Sequence, residues 1–272
     1  MLKTHYSHKL KFTFITLALL FLLIPQLPSN ISNTYEFNDN KPHINKITNS
    51  SLLRVGIGTK PVFHDPVDVW DPGSLNVLDQ VAEGLFSYNL SDPSLQMVPT
   101  LAEDFGTWSD NKNYVVDIKQ GITFHDGTSL NATAVKFTFD RLLYWTNATG
   151  IIMDENDLAI TTELFKWPNG TQIINRIEIL GPYTVRFVLN HAYQLFVHLL
   201  TFSACYIISM SHGIEKIGPG ETHEFPIGTG PFIYENWVGD ELVFSRNDDY
   251  WQGPSEIKSL IFSYVEDANA RN

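Results

Sequence analysis

The chain has one cysteine, Cys205, among 272 residues. That excludes an intrachain disulfide framework and any Cys-rich zinc or iron–sulfur site. Positive charge is scarce too: 18 Lys and Arg stand against 30 Asp and Glu, a net charge of −12. Gripping a phosphate backbone takes a basic surface, so nucleic acid is excluded as a partner. Charged residues make up only 18% and apolar residues 43% of the chain, too little charge and too much apolar content for disorder. Catalytic signatures are also missing. There is no P-loop, no H-E-x-x-H, no G-x-S-x-G and no EF-hand loop. Gly56-Ile57-Gly58 opens like a dinucleotide-binding turn, but the third glycine is absent and Pro61 stands where a helix should begin. No set of nucleophile, base and orienting group can be assembled. The sequence reads as a non-enzyme with no cofactor and no metal site.

What is present starts at the N-terminus. Lys3, Lys9 and Lys11 precede the apolar run Phe12–Ile24. Such a run gives about 20 Å of helix at about 1.5 Å per residue, against the roughly 30 Å of a bilayer core. Residues 1–30 therefore read as a signal peptide, with an uncleaved N-terminal anchor as the alternative. No cysteine follows the run, which excludes lipid attachment there. Sequons at Asn30, Asn49, Asn89, Asn131, Asn147 and Asn169 would be surface acceptors in an exported protein. Residues 31–50 are polar and aperiodic, a tether between the export segment and a folded body.

The body reads as α+β. Ser51–Ile57 has the run of a short buried strand, and a Pro- and Asp-rich loop follows to Gly73. Ser74 is placed to cap a helix reaching about Phe86, with Leu78, Val81, Ala82 and Leu85 on one face. Tyr114–Ile118 and Ile122–Phe124 read as strands, and Asn131 as the cap of a helix carrying Val135, Phe139, Leu142 and Leu143 inward. Tyr183–Leu189 alternates as a half-buried strand does. Residues 192–203 suggest a short helix with Leu195, Phe196, Leu199 and Leu200 turned in, and Glu241–Arg246 and Leu260–Val265 are further strands. His191 and His198, seven apart, would share a helix face. They read mainly as scattered surface or half-buried histidines, with a metal pair as the sharper alternative. His125-Asp126 sits in an Asp-Gly turn, where neighbouring side chains diverge, and is read as structural. The 13% aromatic content suits either extra core or a ring-lined cleft.

Several stretches in order carry a resemblance. They are His64-Asp65-Pro66, NVLDQVAEGLFSYN at 76–89, VPTLAEDF at 98–105, KQGITFHDGTSLNATAVKFTFDRL at 119–142, FPIGTGPF at 225–232, RNDDYW at 246–251 and EDANAR at 266–271. The set resembles the family 5 solute-binding proteins of ABC importers, the oligopeptide, dipeptide and nickel class. The resemblance implies a periplasmic-binding-protein type II-like fold, a location outside the cytoplasm, and capture of a peptide or similar small solute for delivery to ABC permease subunits in the membrane. It implies that 51–87 and 177–272 form one lobe and 88–176 a smaller inserted subdomain. It also implies that the opposing lobe lies beyond residue 272, as a separately encoded C-terminal lobe or a lost one. In the latter case the chain would bind solutes weakly or be a non-binding remnant. By the same analogy, ligand contact is expected from the loop Lys60–His64, with Lys60, Phe63 and His64, from Cys205, Tyr206 and Ser209, and from Thr229. The alternative in a different class is an extracytoplasmic hydrolase, which would need two carboxylates facing each other across a cleft.

Overall fold

The computed structural model describes residues 51–62, 65–146, 163–213 and 225–268. The export segment, the tether, Phe63 and His64 lie outside the described residues. The described residues belong to one compact unit, Thr48–Asn272. No helix among them is long and apolar enough to cross a membrane.

Two four-stranded sheets, each covered by one helix, organise the described residues. The first has the order β1-β10-β9-β8, from β1 (Leu52–Ile57), β8 (Phe232–Val238), β9 (Glu241–Arg246) and β10 (Ser259–Tyr264). β1 pairs parallel to β10 and the other pairs are antiparallel. The buried strand expected over 51–57 is instead an edge strand: Leu52 and Leu53 are exposed and only Ile57 is fully covered. An edge strand keeps one long side open to water, so its hydrophobicity overstates its burial. Helix α1 (Pro72–Val81) supplies Val77 and Val81 to a cluster with Ile57, Leu242, Phe244 and Phe262.

α1 differs from its expected limits at both ends. Its N-cap is Asp71, whose Oδ1 accepts from the Ser74 N–H at 2.9 Å, and Pro72 takes the first helical position, where it loses no hydrogen bond. The helix stops at Val81, and Leu85 reaches its buried place from extended chain leading into β2 (Phe86–Tyr88), which pairs with β3 (Met97–Pro99).

The second sheet has the order β4-β5-β7-β6, from β4 (Thr107–Trp108), β5 (Asn113–Asp117), β6 (Ile174–Gly181) and β7 (Thr184–Leu189). Val185, Phe187 and Leu189 of β7 are buried, as the alternation requires. Helix α2 (Ala132–Thr146) lies on this sheet, with Phe139 edge-on to Phe187 at 4.7 Å between ring centres. Asn131 caps it, its Oδ1 accepting from the N–H groups of Thr133 and Ala134. Ile122–Phe124 is not a strand of a sheet but one side of a tight turn closed by Phe124 N–H to the Thr128 carbonyl. The division expected between residues 176 and 177 falls inside β6.

The helix expected over 192–203 is a single turn, α3 (Phe196–Leu199). Leu195 lies outside it and is exposed. His191 precedes it and packs edge-on against Trp167, so the two histidines share no helix face.

The Gly228-Thr229-Gly230 loop seals the first sheet against α1. A Cβ added at Gly228 would come within 2.1 Å of the Val81 carbonyl oxygen, and one at Gly230 within 2.5 Å of the Gln80 carbonyl oxygen. Real Cβ atoms cannot approach a backbone so closely, so these glycines serve close packing onto the end of α1.

Candidate functional site

A groove of about 710 Å³ opens between the first sheet's helix and the segment that follows α3. Two segments form its walls. One is the loop after β1, which ends in Val69 and Trp70; the other is Thr201–Tyr206. The Ser203 hydroxyl donates to the Val69 carbonyl at 3.0 Å and holds the two walls at a fixed separation. α1 contributes Leu75 and Asp79 from below, and Tyr88 and His198 close one side through a hydrogen bond of 3.2 Å between the Tyr88 hydroxyl and His198 Nδ1. Trp70, Leu195 and Phe202 are 55%, 58% and 46% exposed. Three large apolar side chains turned to water in one groove are a patch a folded protein retains for a ligand or partner.

The loop carrying Trp70 is held from its base. Asp65 and Arg141 are both fully buried and form a two-pronged ion pair, Nη1 to Oδ1 at 2.9 Å and Nη2 to Oδ2. Asp65 also turns the loop, accepting from the Val67 N–H.

Electrostatically the groove is sparse. Asp79 is the one carboxylate among its lining residues. Oδ1 accepts from the Tyr206 hydroxyl at 2.7 Å. Protein packed around one side of the carboxyl raises its pKa, and the Tyr206 hydrogen bond pulls it down by less. The facing pair of carboxylates required by the hydrolase alternative is absent from this lining.

The expected ligand contacts divide. Tyr206 lines the groove, with its neighbours Ser203 and Ala204. Cys205, one residue away, points the other way: it is fully buried, its Sγ is 3.6 Å from the Leu199 carbonyl, and burial pushes the thiol well above its usual pKa. Thr229 is buried and donates to Glu83 at 2.7 Å. Ser209 is buried and donates to Asp126 at 2.6 Å. Lys60 is exposed, 3.3 Å from Asp240 and over the Trp237 ring, and is not part of this groove. The side chains of Cys205, Ser209 and Thr229 are therefore spent on packing, because family position places a residue near a cleft without fixing which way its side chain faces. Trp70, Asp79, Tyr88 and Phe202 escaped the sequence reading, and Leu195, expected to turn into the core, is exposed in the groove instead. Trp70 carried a signal, a large aromatic in a Pro- and Asp-rich loop where nothing local asks for one.

The motifs that carry the resemblance are tied to one another by hydrogen bonds. Partial burial raises the Asp126 carboxyl, but hydrogen bonds from Ser209, Thr128 and Ser211 outweigh it and hold the group well below the usual carboxylate range. His125 turns to the opposite side, where its Nε2 donates to the Gly230 carbonyl at 2.9 Å; burial lowers its pKa and this hydrogen bond offsets part of that. Glu83 accepts from Thr229, Tyr250 at 2.8 Å and Trp251 at 3.0 Å. A smaller cleft of about 390 Å³ lies at the C-terminal end of β1, between Gly58-Thr59 and Pro72-Gly73.

Residues 96–272 match the family model described as bacterial extracellular solute-binding proteins, family 5, middle portion. The glutathione-binding protein GsiB of Escherichia coli strain K12 is 30% identical over 219 residues, which cover 80% of this chain and 39% of that relative. The dipeptide-binding protein of Pseudoalteromonas sp. SM9913, solved in complex with Met-Leu, superposes with a TM-score of 0.67 at 22% identity, over 80% of this chain and 44% of that one. The oligopeptide-binding protein AppA of Bacillus subtilis, solved with a nonapeptide, gives 0.64 at 23% identity, over 80% of this chain and 41% of that one. The chain thus spans about two fifths of the length of these relatives, which are solute-binding proteins and not enzymes. The fold they share with it is the mixed α/β type II architecture of periplasmic binding proteins.

Proposed function

We propose a solute-capturing role for this chain from one premise: it belongs to the bacterial extracellular solute-binding proteins of family 5. The chain works outside the cytoplasm, exported by residues 1–30 as a signal or held by them as an anchor. It captures a short peptide and presents it to the membrane permease of an ABC importer. A second lobe, corresponding to the part of the longer relatives that this chain does not span, closes over the solute. The observation that carries this reading is the groove itself, in which Trp70, Leu195 and Phe202 stand exposed around one cavity. The relatives named for glutathione, a dipeptide and a nonapeptide support peptides as the class.

The test is a fluorescence titration of the full chain with leucyl-leucine, at concentrations into the millimolar range. Trp70 is the reporter. Saturable change is expected, and replacing Trp70 and Phe202 together with alanine should weaken binding at least tenfold, read by calorimetry. Two buried aromatic contacts of about 1 kcal/mol each amount to more than a factor of ten. Binding that is unchanged in the double variant would move the site elsewhere.

A further inference from the structure

Six of the chain's 20 asparagines open an Asn-x-Ser/Thr sequon, about twice the number that 39 Ser and Thr among 272 residues would give by chance, and none has proline in the middle position. Solute capture uses none of them. Asn89, Asn131 and Asn169 lie in the described residues, and their surroundings set them apart.

Asn89-Leu90-Ser91 is exposed at all three positions, Leu90 at 85%. It opens the turn from β2 to β3, where the Asn89 N–H donates to the Gln96 carbonyl at 2.9 Å. Asn169-Gly170-Thr171 stands at the tip of a second hairpin, closed by the Trp167 N–H on the Thr171 carbonyl at 2.7 Å. Gly170 makes that tip possible with φ at +83°. Asn169 and Gly170 are exposed and Thr171 is half-buried. In both sequons the Asn Oδ1 accepts from the N–H of the hydroxyl residue two positions on, at 3.0 Å. Their Nδ2 atoms donate to no described residue, so nothing in the fold competes for the nitrogen. Asn131 is different. It is half-buried, and its Oδ1 caps α2 by accepting from two N–H groups. Its middle residue, Ala132, is 1% exposed and donates its N–H to the Pro182 carbonyl at 2.9 Å. That sequon is closed between α2 and the turn from β6 to β7.

We propose that Asn89 and Asn169 are N-glycosylation sites and that Asn131 stays unmodified. The proposal rests on the chain being exported, since sequons are used where a protein meets a glycosylating machinery outside the cytoplasm. The co-substrate is a sugar chain carried on a polyprenyl phosphate. Nδ2 attacks C1 of the first sugar, and a C–N bond forms as the C1–O bond to the carrier phosphate breaks. The carrier leaves with that oxygen and its electron pair, and the Nδ2 proton passes to a base of the transferase. Such a transfer needs a nitrogen that reaches solvent and a three-residue segment that a second protein can grip. Exposed hairpin tips supply both. A helix cap whose next residue is buried supplies neither.

The experiment is mass spectrometry of the full chain purified from its native cells after fractionation, read both as intact protein and as proteolytic peptides. The peptides holding Asn89 and Asn169 are expected to carry sugar, and the peptide holding Asn131 to have its unmodified mass. Ser91→Ala and Thr171→Ala each remove a sequon while keeping the asparagine and its turn. Each should lower the intact mass by one glycan. Thr133→Ala removes the third sequon without touching the Asn131 cap and should change the mass by the substitution alone. Chain recovered outside the cytoplasm with Asn89 and Asn169 bare would overturn the proposal and leave solute capture standing. Sugar on Asn131 as abundant as on the other two would overturn the selection by exposure. Bare chain confined to the cytosol would overturn the export reading and the proposal with it.

Discussion

Replacing Arg141 with methionine is expected to lower the stability of the folded unit by about 3 to 5 kcal/mol, because the buried Asp65 would lose the guanidinium that faces it. Both side chains lie in the interior, at 1% and 0% exposure, so water cannot take over from the guanidinium. For a unit of this size each 1 kcal/mol shifts the melting temperature by roughly 2 to 4 °C, and thermal unfolding followed by circular dichroism should show a loss of roughly 6 to 20 °C. Adding Asp65→Asn should recover part of that loss. The asparagine removes the buried charge and still accepts from the Val67 N–H, which Asp65 does at 3.1 Å. The pair should therefore be strongly non-additive in a double-mutant cycle. Additive losses would show that the two residues act independently. The consequence for function is direct, since this ion pair fixes the base of the loop that ends in Trp70.

The second large effect is expected at Glu83. Its carboxylate gathers Thr229 from the glycine loop and Tyr250 and Trp251 from the Asn247–Trp251 turn, three donors from two segments distant in sequence. Glu83→Ala leaves all three without an acceptor. Each orphaned donor costs about 1 kcal/mol at the lower end of the range for buried groups, so about 3 kcal/mol is expected in chemical denaturation. Glu83→Gln should cost markedly less. Its amide oxygen still serves the side that Thr229 and Trp251 share, and the Tyr250 hydroxyl can accept from the amide nitrogen. Equal losses in the two variants would mean that the charge of Glu83, and not its acceptors, holds the junction.

The motifs that carried the resemblance were legible because they are scaffold. GTGP is needed where Gly228 and Gly230 lie against the end of α1. The His125-Asp126 turn binds the glycine loop on one side and Ser209 and Ser211 on the other. NDDYW delivers Tyr250 and Trp251 to Glu83. β7, β9, β10 and the Asn131 cap were legible for a local reason, since alternation and capping are properties of a few neighbouring residues. β6 and β8 were not, because their exposed and buried positions follow no clean alternation and each pairs across a register shift. α1 was read three residues late because Ser74 is as good a cap by type as Asp71. Only the position of Pro72, at the first helical turn, separates them.

The groove was the least legible feature. It is assembled from single residues of the loop after β1, α1, β2 and the segment 195–206, and no periodicity marks them. Tyr206 lines the groove while Cys205 is buried behind it, for one reason. Along a segment in extended or tightly turned conformation neighbouring side chains face opposite ways, so proximity to a cleft does not choose between them.

The most direct test of the groove as the solute site is nuclear magnetic resonance of the full chain, labelled with ¹⁵N, titrated with leucyl-leucine. The expected result is saturable shifts of the Trp70 indole N–H and of the backbone amides of Asp79, Phe202 and Tyr206, with intermolecular Overhauser contacts from the leucine methyls to the Trp70 ring. Shifts confined to the cleft between Gly58-Thr59 and Gly73, or no saturable shift at all, would contradict it.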